Sequence, residues 1–405
     1  MSCISLKILV ASMMFNLLSM PISSGAAVVF GYIALISSIL LPFELMRYNG
    51  VCVNKKQFGI VLVLVGIVCL NSFVSLTVIK VSELEDLGKA IISFFSFLFS
   101  IMAKDVLYTE KDLKFFFSVT RFFAVIMILY TIIPFDFQYV VINEYGGTQF
   151  TLSMGNPNAT ATKLLFGIVV LGVENSMLKS KYWRWCNGGL IMGLFYVIFR
   201  LQSRTALICA LIFIVYGMLL KVRIKKWMID WVWLVPVIFI PFQLWIARQP
   251  AWDFLDKSMT TGREELFANF INLISFSPTQ FILGDFAKYQ LVNNHNIIFS
   301  LIFNFGFLGV GVFLWFWKIE GRGTSEITTK IAQYAWMGFF IFVIHSMAES
   351  AVLSGAFTFS VILVLINRLT KDKIVFCPGE VSKYDWTIED TYAKEGEYDE
   401  SVTRN

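Results

Sequence analysis

Few residues in this sequence are equipped for chemistry. They are Arg200 and Arg204, Arg263, and the two histidines, His295 and His345, the second followed four residues later by Glu349. Guanidinium groups hold phosphates through paired, charge-assisted N–H bonds. A neutral imidazole within reach of a hydroxyl can take its proton as a general base. The set therefore suits an anionic substrate and a hydroxyl acceptor.

Arg200 and Arg204 lie in FRLQSRTALICALI. They are four apart, so a continuous helix would put them on one face. An arginine in mid-bilayer costs about 2.5–3.5 kcal/mol, so two beside an apolar run need a cause. They either snorkel to headgroup phosphates or bind an anion.

Arg263 sits in TTGREELFANFINLI, where Thr261 and Glu264 have capping-box spacing. Leu266, Phe267, Phe270, Ile271 and Ile274 then recur on one face of a predicted amphipathic helix that Pro278 ends. The first turn of that helix favours anions, although Glu264 and Glu265 oppose the field. The competing reading is an interfacial anchor with a solvated arginine.

His295, in NNHN, precedes an apolar run, and the positive end of that helix keeps its ring neutral. A capping or interfacial role is the alternative. His345 and Glu349, in FVIHSMAES, pair with each other, orient an acceptor or serve a proton pathway. Arg121 and Asp230 receive no role.

The elements that position these residues follow from composition. The 405 residues are 57% hydrophobic, 16% aromatic and 15% charged, whereas soluble domains carry about 25% charged residues. About twenty apolar residues cross a hydrocarbon core of roughly 30 Å. That ruler predicts an all-α integral membrane protein with about twelve spans, near 4–20, 26–42, 58–79, 90–103, 115–134, 161–178, 188–200, 205–220, 228–247, 297–317, 332–346 and 352–367. The first run shows no cleavage site for a signal peptide.

With the N-terminus inside, the inner loops hold sixteen Lys and Arg against eight outside, as the retention of positive loops in the cytoplasm requires. Residues 1–367 then form the membrane domain, with external loops at 135–160 and 248–296. The longer loop carries the amphipathic helix, and both termini are cytoplasmic. From Glu380 onward, eight acidic residues face Lys383, Lys394 and Arg404. This tail, 368–405, is predicted to be disordered.

No phosphate-binding Gly loop, dinucleotide fingerprint, H-E-x-x-H or serine nucleophile elbow occurs. No cofactor or metal is expected. The cysteines have no metal spacing and read as reduced thiols. The basic excess belongs to membrane topology, and no nucleic-acid patch is present.

NPN at 156–158, QSRTALI at 202–208, TGREEL at 261–266 and HNIIFSLIFNFGFLGVG at 295–311 together resemble the O-antigen polymerase and O-antigen ligase superfamily of bacterial membrane glycosyltransferases. The resemblance covers roughly the second half of the chain. It implies a GT-C-type helical fold in the bacterial inner membrane, with its active site at the periplasmic face. The implied substrate is an oligosaccharide on undecaprenyl pyrophosphate, handled without metal.

Carried onto this sequence, Arg204 and Arg263 hold the pyrophosphate, with Arg200 in support, and His295 is the catalytic residue. Tyr139 and Tyr145 are candidates to stack on sugar rings. Polymerase, serving surface-polysaccharide (lipopolysaccharide) biosynthesis, is the first expectation, and a chain-length regulator is its natural partner. The alternatives are a ligase acting on a lipopolysaccharide core, or a lipid-linked oligosaccharide flippase or secondary transporter.

Overall fold

The computed structural model describes residues 4–49, 63, 66, 108–133, 140–142, 148–150, 157–220, 225–231, 234–247, 278–284, 296, 298–299, 301–303, 305–311, 330–347 and 374–375. These are predominantly helical. In chain order the helices are α1 (Ile4–Ser19), α2 (Ser24–Asn49), α3 (Glu110–Ile132), α4 (Pro157–Met177), α5 (Lys181–Arg200), α6 (Arg204–Ile212), α7 (Lys226–Trp231), α8 (Leu234–Ala247), α9 (Pro278–Leu283) and α10 (Lys330–His345). Residues 301–303 and 305–311 are also helical. Within α3, Leu113–Ile132 is long and apolar enough to cross a bilayer, and α1, α2, α6 and α10 contain shorter apolar stretches.

The core is organised around α4. Fifteen of its 21 residues are buried, and it packs against α3, α5, α6 and α10. Its sequence allows this because apolar residues run all round the helix, broken by glycines where neighbours come close. Small residues let helix backbones approach. A Cβ on Gly167 would lie 3.0 Å from Leu194 Cδ1 of α5, and one on Gly172 would lie 2.5 Å from Phe213 Cε1. Gly193 of α5 meets Ile128 of α3, and Gly338 of α10 meets Val169 of α4.

Gly172→Ala therefore forces the fully buried Phe213 ring out of place. A loss of about 1–3 kcal/mol is expected, typical of overpacking. Thermal unfolding of the purified protein measures it, and an unchanged midpoint would mean that the ring has room to turn.

The first two helices form an antiparallel pair. The backbone N–H groups of Ile4 and Ser5 donate to the two Glu44 carboxylate oxygens at 2.8 and 2.7 Å. An acidic side chain from α2 thus satisfies donors that the first turn of α1 leaves open. At the other end of the pair, Asn16 Nδ2 donates to the Ala27 carbonyl at 2.6 Å. Tyr130 ties α3 to this pair by donating its hydroxyl to the Leu18 carbonyl at 3.0 Å.

Several elements begin or end away from their expected bounds. α5 starts at Lys181, seven residues before the apolar run predicted from 188, because Tyr182–Cys186 is helical with an exposed aromatic and basic surface. α4 starts at Pro157, four residues before 161. Proline suits the first helical position, where its missing N–H leaves nothing unsatisfied. α6 continues as a π-helix over Phe213–Leu219, and the Leu220 N–H donates to the Val215 carbonyl at 2.8 Å.

Among the described residues, four short strands accompany the helices. Within the 135–160 loop, β2 (Val140–Ile142) pairs antiparallel with β3 (Thr148–Phe150). β1 (Tyr108–Thr109) pairs in parallel with β4 (Ile374–Val375), the two described residues of the tail expected to be disordered. The runs at 58–79, 90–103 and 352–367 lie outside the described residues, apart from helical positions 63 and 66.

Candidate functional site

The two best-placed arginines flank a helix break. Arg200 is the last residue of α5 and Arg204 the first of α6, separated by a turn at 201–203. The break falls where the predicted spans 188–200 and 205–220 meet, so the two arginines do not share a continuous helical face. The chain reverses at Gln202, whose φ of 52° lies in the left-handed region. Ser203 precedes α6 without using its side chain as a cap, and its carbonyl accepts from the Leu207 N–H at 2.9 Å.

Each arginine then takes its own direction. Arg200 folds back along α5: Nη1 donates to the Tyr196 hydroxyl at 3.1 Å, and the guanidinium lies 5.9 Å from that ring's centroid. Cation–π contact of this kind is favourable when an arginine sits over an aromatic face. Arg204 is half-buried and falls at i−4 and i−7 to the exposed Ile208 and Leu211. The inward face of α6 is instead formed by Ala206, Cys209 and Ala210.

His345 is fully buried at the end of α10. Arg184 is within electrostatic reach of Tyr334, near the start of α10. Arg184 itself sits past the end of α4, where its Nε donates to the Leu178 carbonyl at 2.6 Å. So α10 runs antiparallel to α4. From the Gly338–Val169 contact, two further turns carry the same facing surfaces to His345 and Thr162. Thr162 is buried and donates its hydroxyl to the Asn158 carbonyl at 2.9 Å. This end of the core thus gathers buried polar groups: Thr160, Thr162, Ser203, His345 and Ser346.

The opposite end of α4 holds a second polar cluster. Glu174 is fully buried. Asn187 of α5 donates its Nδ2 to Glu174 Oε2 at 2.9 Å, and Arg121 Nη2 of α3 lies 3.6 Å from Oε1. The Arg121 guanidinium also stacks 5.7 Å from the Trp183 ring centroid. One carboxylate therefore joins three helices. The sequence alone gives Arg121 no role and does not single out Glu174. The available signal was an ionisable residue at the end of the apolar run LLFGIVVLGVE, since such residues are expensive unless paired.

Arg263, His295, Glu349, Tyr139 and Tyr145 lie outside the described residues, as does the predicted amphipathic helix. The neighbour of His295 is described. Asn296 is fully buried, and its Oδ1 accepts from the Ile298 N–H at 2.8 Å. Asparagine bonded in this way is a favoured start for a helix, and helical residues 298–299 and 301–303 follow. No family model matches the chain, and neither a curated protein nor a solved structure matches it.

Proposed function

We propose that the chain is an integral membrane glycosyltransferase of about twelve spans and GT-C type. In this reading it is an O-antigen polymerase that moves a growing glycan from undecaprenyl pyrophosphate onto the next lipid-linked repeat unit. The observation that carries the reading is α3, whose Leu113–Ile132 stretch is long and apolar enough to cross a bilayer. Twenty helical residues rise about 30 Å, the thickness of a bilayer's hydrocarbon core. In α5, Lys181 and Arg184 lie at the start and Arg200 at the end.

Other described faces support a lipid setting. α2 exposes Val28, Val29, Tyr32, Ile36 and Leu40, and α3 exposes Phe122, Val125, Leu129 and Ile132. Both helices are thus apolar on the faces turned away from the core. Exposed Tyr182, Trp183 and Trp185 accompany the basic start of α5, the composition of a membrane interface on a positive, cytoplasmic side. Arg200 and Arg204 then belong to the periplasmic end.

In the chemistry proposed, Arg204 and Arg263 neutralise charge on the pyrophosphate as the bond from the sugar C1 to its phosphate oxygen breaks. Donors fixed in place before the reaction are most effective at such a site. His295 takes the proton of the acceptor hydroxyl as the new C1–O bond forms, and undecaprenyl pyrophosphate leaves. Lysine in place of Arg204 would lack the bidentate fork.

Elongation of a defined lipid-linked oligosaccharide by the purified protein tests the reading. Polymer is expected from the wild type and none from His295→Ala. Wild-type lengths from that variant would remove His295 as the base. Transfer to a lipopolysaccharide core in place of chain extension would identify a ligase. The buried Arg121–Glu174 pair favours one further reading, a carrier, because transporters keep paired charges inside the bundle. Translocation in liposomes without extension would select it.

A further inference from the structure

The starts of α3 and α5 and the end of α4 meet at one end of the molecule. Asn187 of α5 meets Glu174 of α4 and Leu194 meets Gly167, so α5 runs antiparallel to α4. Arg121 of α3 stacks on Trp183 and Ile128 meets Gly193, so α3 runs parallel to α5. Exposed cations gather at this end: Lys111 at the start of α3, Lys179 just beyond α4, and Lys181 and Arg184 at the start of α5. Glu110, Asp112 and Lys114 lie beside Lys111 in sequence, so the balance stays positive. Exposed Tyr182, Trp183 and Trp185 stand among these cations. The rim is basic and aromatic at once.

The acidic tail enters at the same place. β1 immediately precedes α3, and its parallel partner β4 sets Ile374 against Tyr108 and Val375 against Thr109. The residues that follow, 376–405, hold eight carboxylates from Glu380 onward against Lys383, Lys394 and Arg404. Tyr384, Trp386, Tyr392 and Tyr398 are interleaved with them. The tail is thus the chemical complement of the rim. Reach does not limit it. The five residues from Phe376 to Glu380 extend at most about 17 Å, and the axes of packed helices lie about 8–10 Å apart. A tethered ligand also acts at an effective concentration on the order of millimolar, which offsets the weakness of single exposed ion pairs.

We propose that the tail, residues 376–405, folds back onto this rim as an intramolecular cover for the basic, aromatic end of α3, α4 and α5. The cover does not depend on the glycosyltransferase reading, since it uses only the β1–β4 pairing and the two charge patterns. Its attraction is sensitive to salt, because the Debye length falls to about 3 Å at 1 M ionic strength.

Zero-length carbodiimide cross-linking of the full-length protein in neutral detergent, read by mass spectrometry, tests the cover. Cross-links from tail carboxylates such as Glu389 and Asp390 to Lys179 and Lys181 are expected at low salt. About 1 M sodium chloride should remove them while leaving those of Lys383 to its own neighbours in the tail. Mixing isotope-labelled with unlabelled protein separates contacts within a chain from contacts between copies. A variant with Glu389→Gln, Asp390→Asn, Glu395→Gln and Glu397→Gln should raise acylation of Lys179 and Lys181 by an amine-reactive ester. The expected rise is roughly fivefold, the worth of one or two exposed ion pairs.

Tail carboxylates that cross-link only within the tail overturn the cover, as does acylation unchanged by both salt and the variant. Cross-links confined to labelled–unlabelled pairs overturn it too, and make the tail a contact between copies. In vesicles containing phosphatidylglycerol, persistent tail–rim cross-links support the cover. Their disappearance there gives the rim to headgroup phosphates and overturns it. The salt series on the wild type needs no variant, so the cover stays testable even if the substituted tail misfolds.

Discussion

Replacing Arg121 with leucine is expected to destabilise the protein by about 3–5 kcal/mol, the usual cost of stripping the partner from a buried charge. The asymmetry between the two side chains makes the prediction sharp. Glu174 is 0% exposed and Arg121 20%. After Arg121→Leu the carboxylate keeps the Asn187 amide but has lost its counter-charge in a site water does not reach. Glu174→Gln leaves an arginine that can still turn outward, and it should cost less. The double variant Arg121→Leu/Glu174→Gln should recover much of the loss, because no buried charge remains. Thermal unfolding of the four proteins gives the comparison. A double variant no better than Arg121→Leu alone would show that the guanidinium stabilises by packing on Trp183 rather than by pairing.

Gly306→Ala is expected to prevent the protein from reaching its native state. Gly306 has a φ of 67°, and a Cβ there would strike the Ile282 carbonyl oxygen, with the Leu283 nitrogen 2.5 Å away. The left-handed conformation alone costs an L-residue roughly 1–2 kcal/mol. The collision adds more, because the obstacle is the α9 backbone and no side chain can rotate out of the way. Gly311→Ala is the control, since its Cβ would meet nothing within 4 Å. The folded fraction on size exclusion should fall steeply for the first variant and stay unchanged for the second. Equal recovery would mean that residues 305–311 do not pack on α9 as described.

Much of the helical order was legible from apolar run length alone, and the departures have local causes. A hydropathy ruler begins α5 at 188 because it discounts Arg184 and the tryptophans beside it, yet these suit an amphipathic helical start. The break between Arg200 and Arg204 was legible from one apolar run ending at 200 and the next starting at 205, but its backbone geometry was not. It depends on a left-handed backbone at Gln202 that no glycine announced. Glu174 was legible as a charge in an apolar run, but its partners were not. Arg121 and Asn187 come from two other helices, and single-helix periodicity carries no information on which faces meet. His345 was picked out as a candidate, and its burial opposite Thr162 depends on α10 crossing α4 at Gly338 and Val169.

The late arrival of α10 has a consequence for biosynthesis. α4, α5 and α6 are consecutive, so they can associate as soon as they leave the ribosome. The strip of α4 that includes Thr162 and Val169 must wait for Gly338 and His345, far later in the chain. Until then a polar threonine and a line of valines face the surroundings, and translation is slow compared with helix pairing. A nascent chain halted before residue 330 should therefore be a preferred client of chaperones and quality-control proteases, and one halted after residue 347 should escape them.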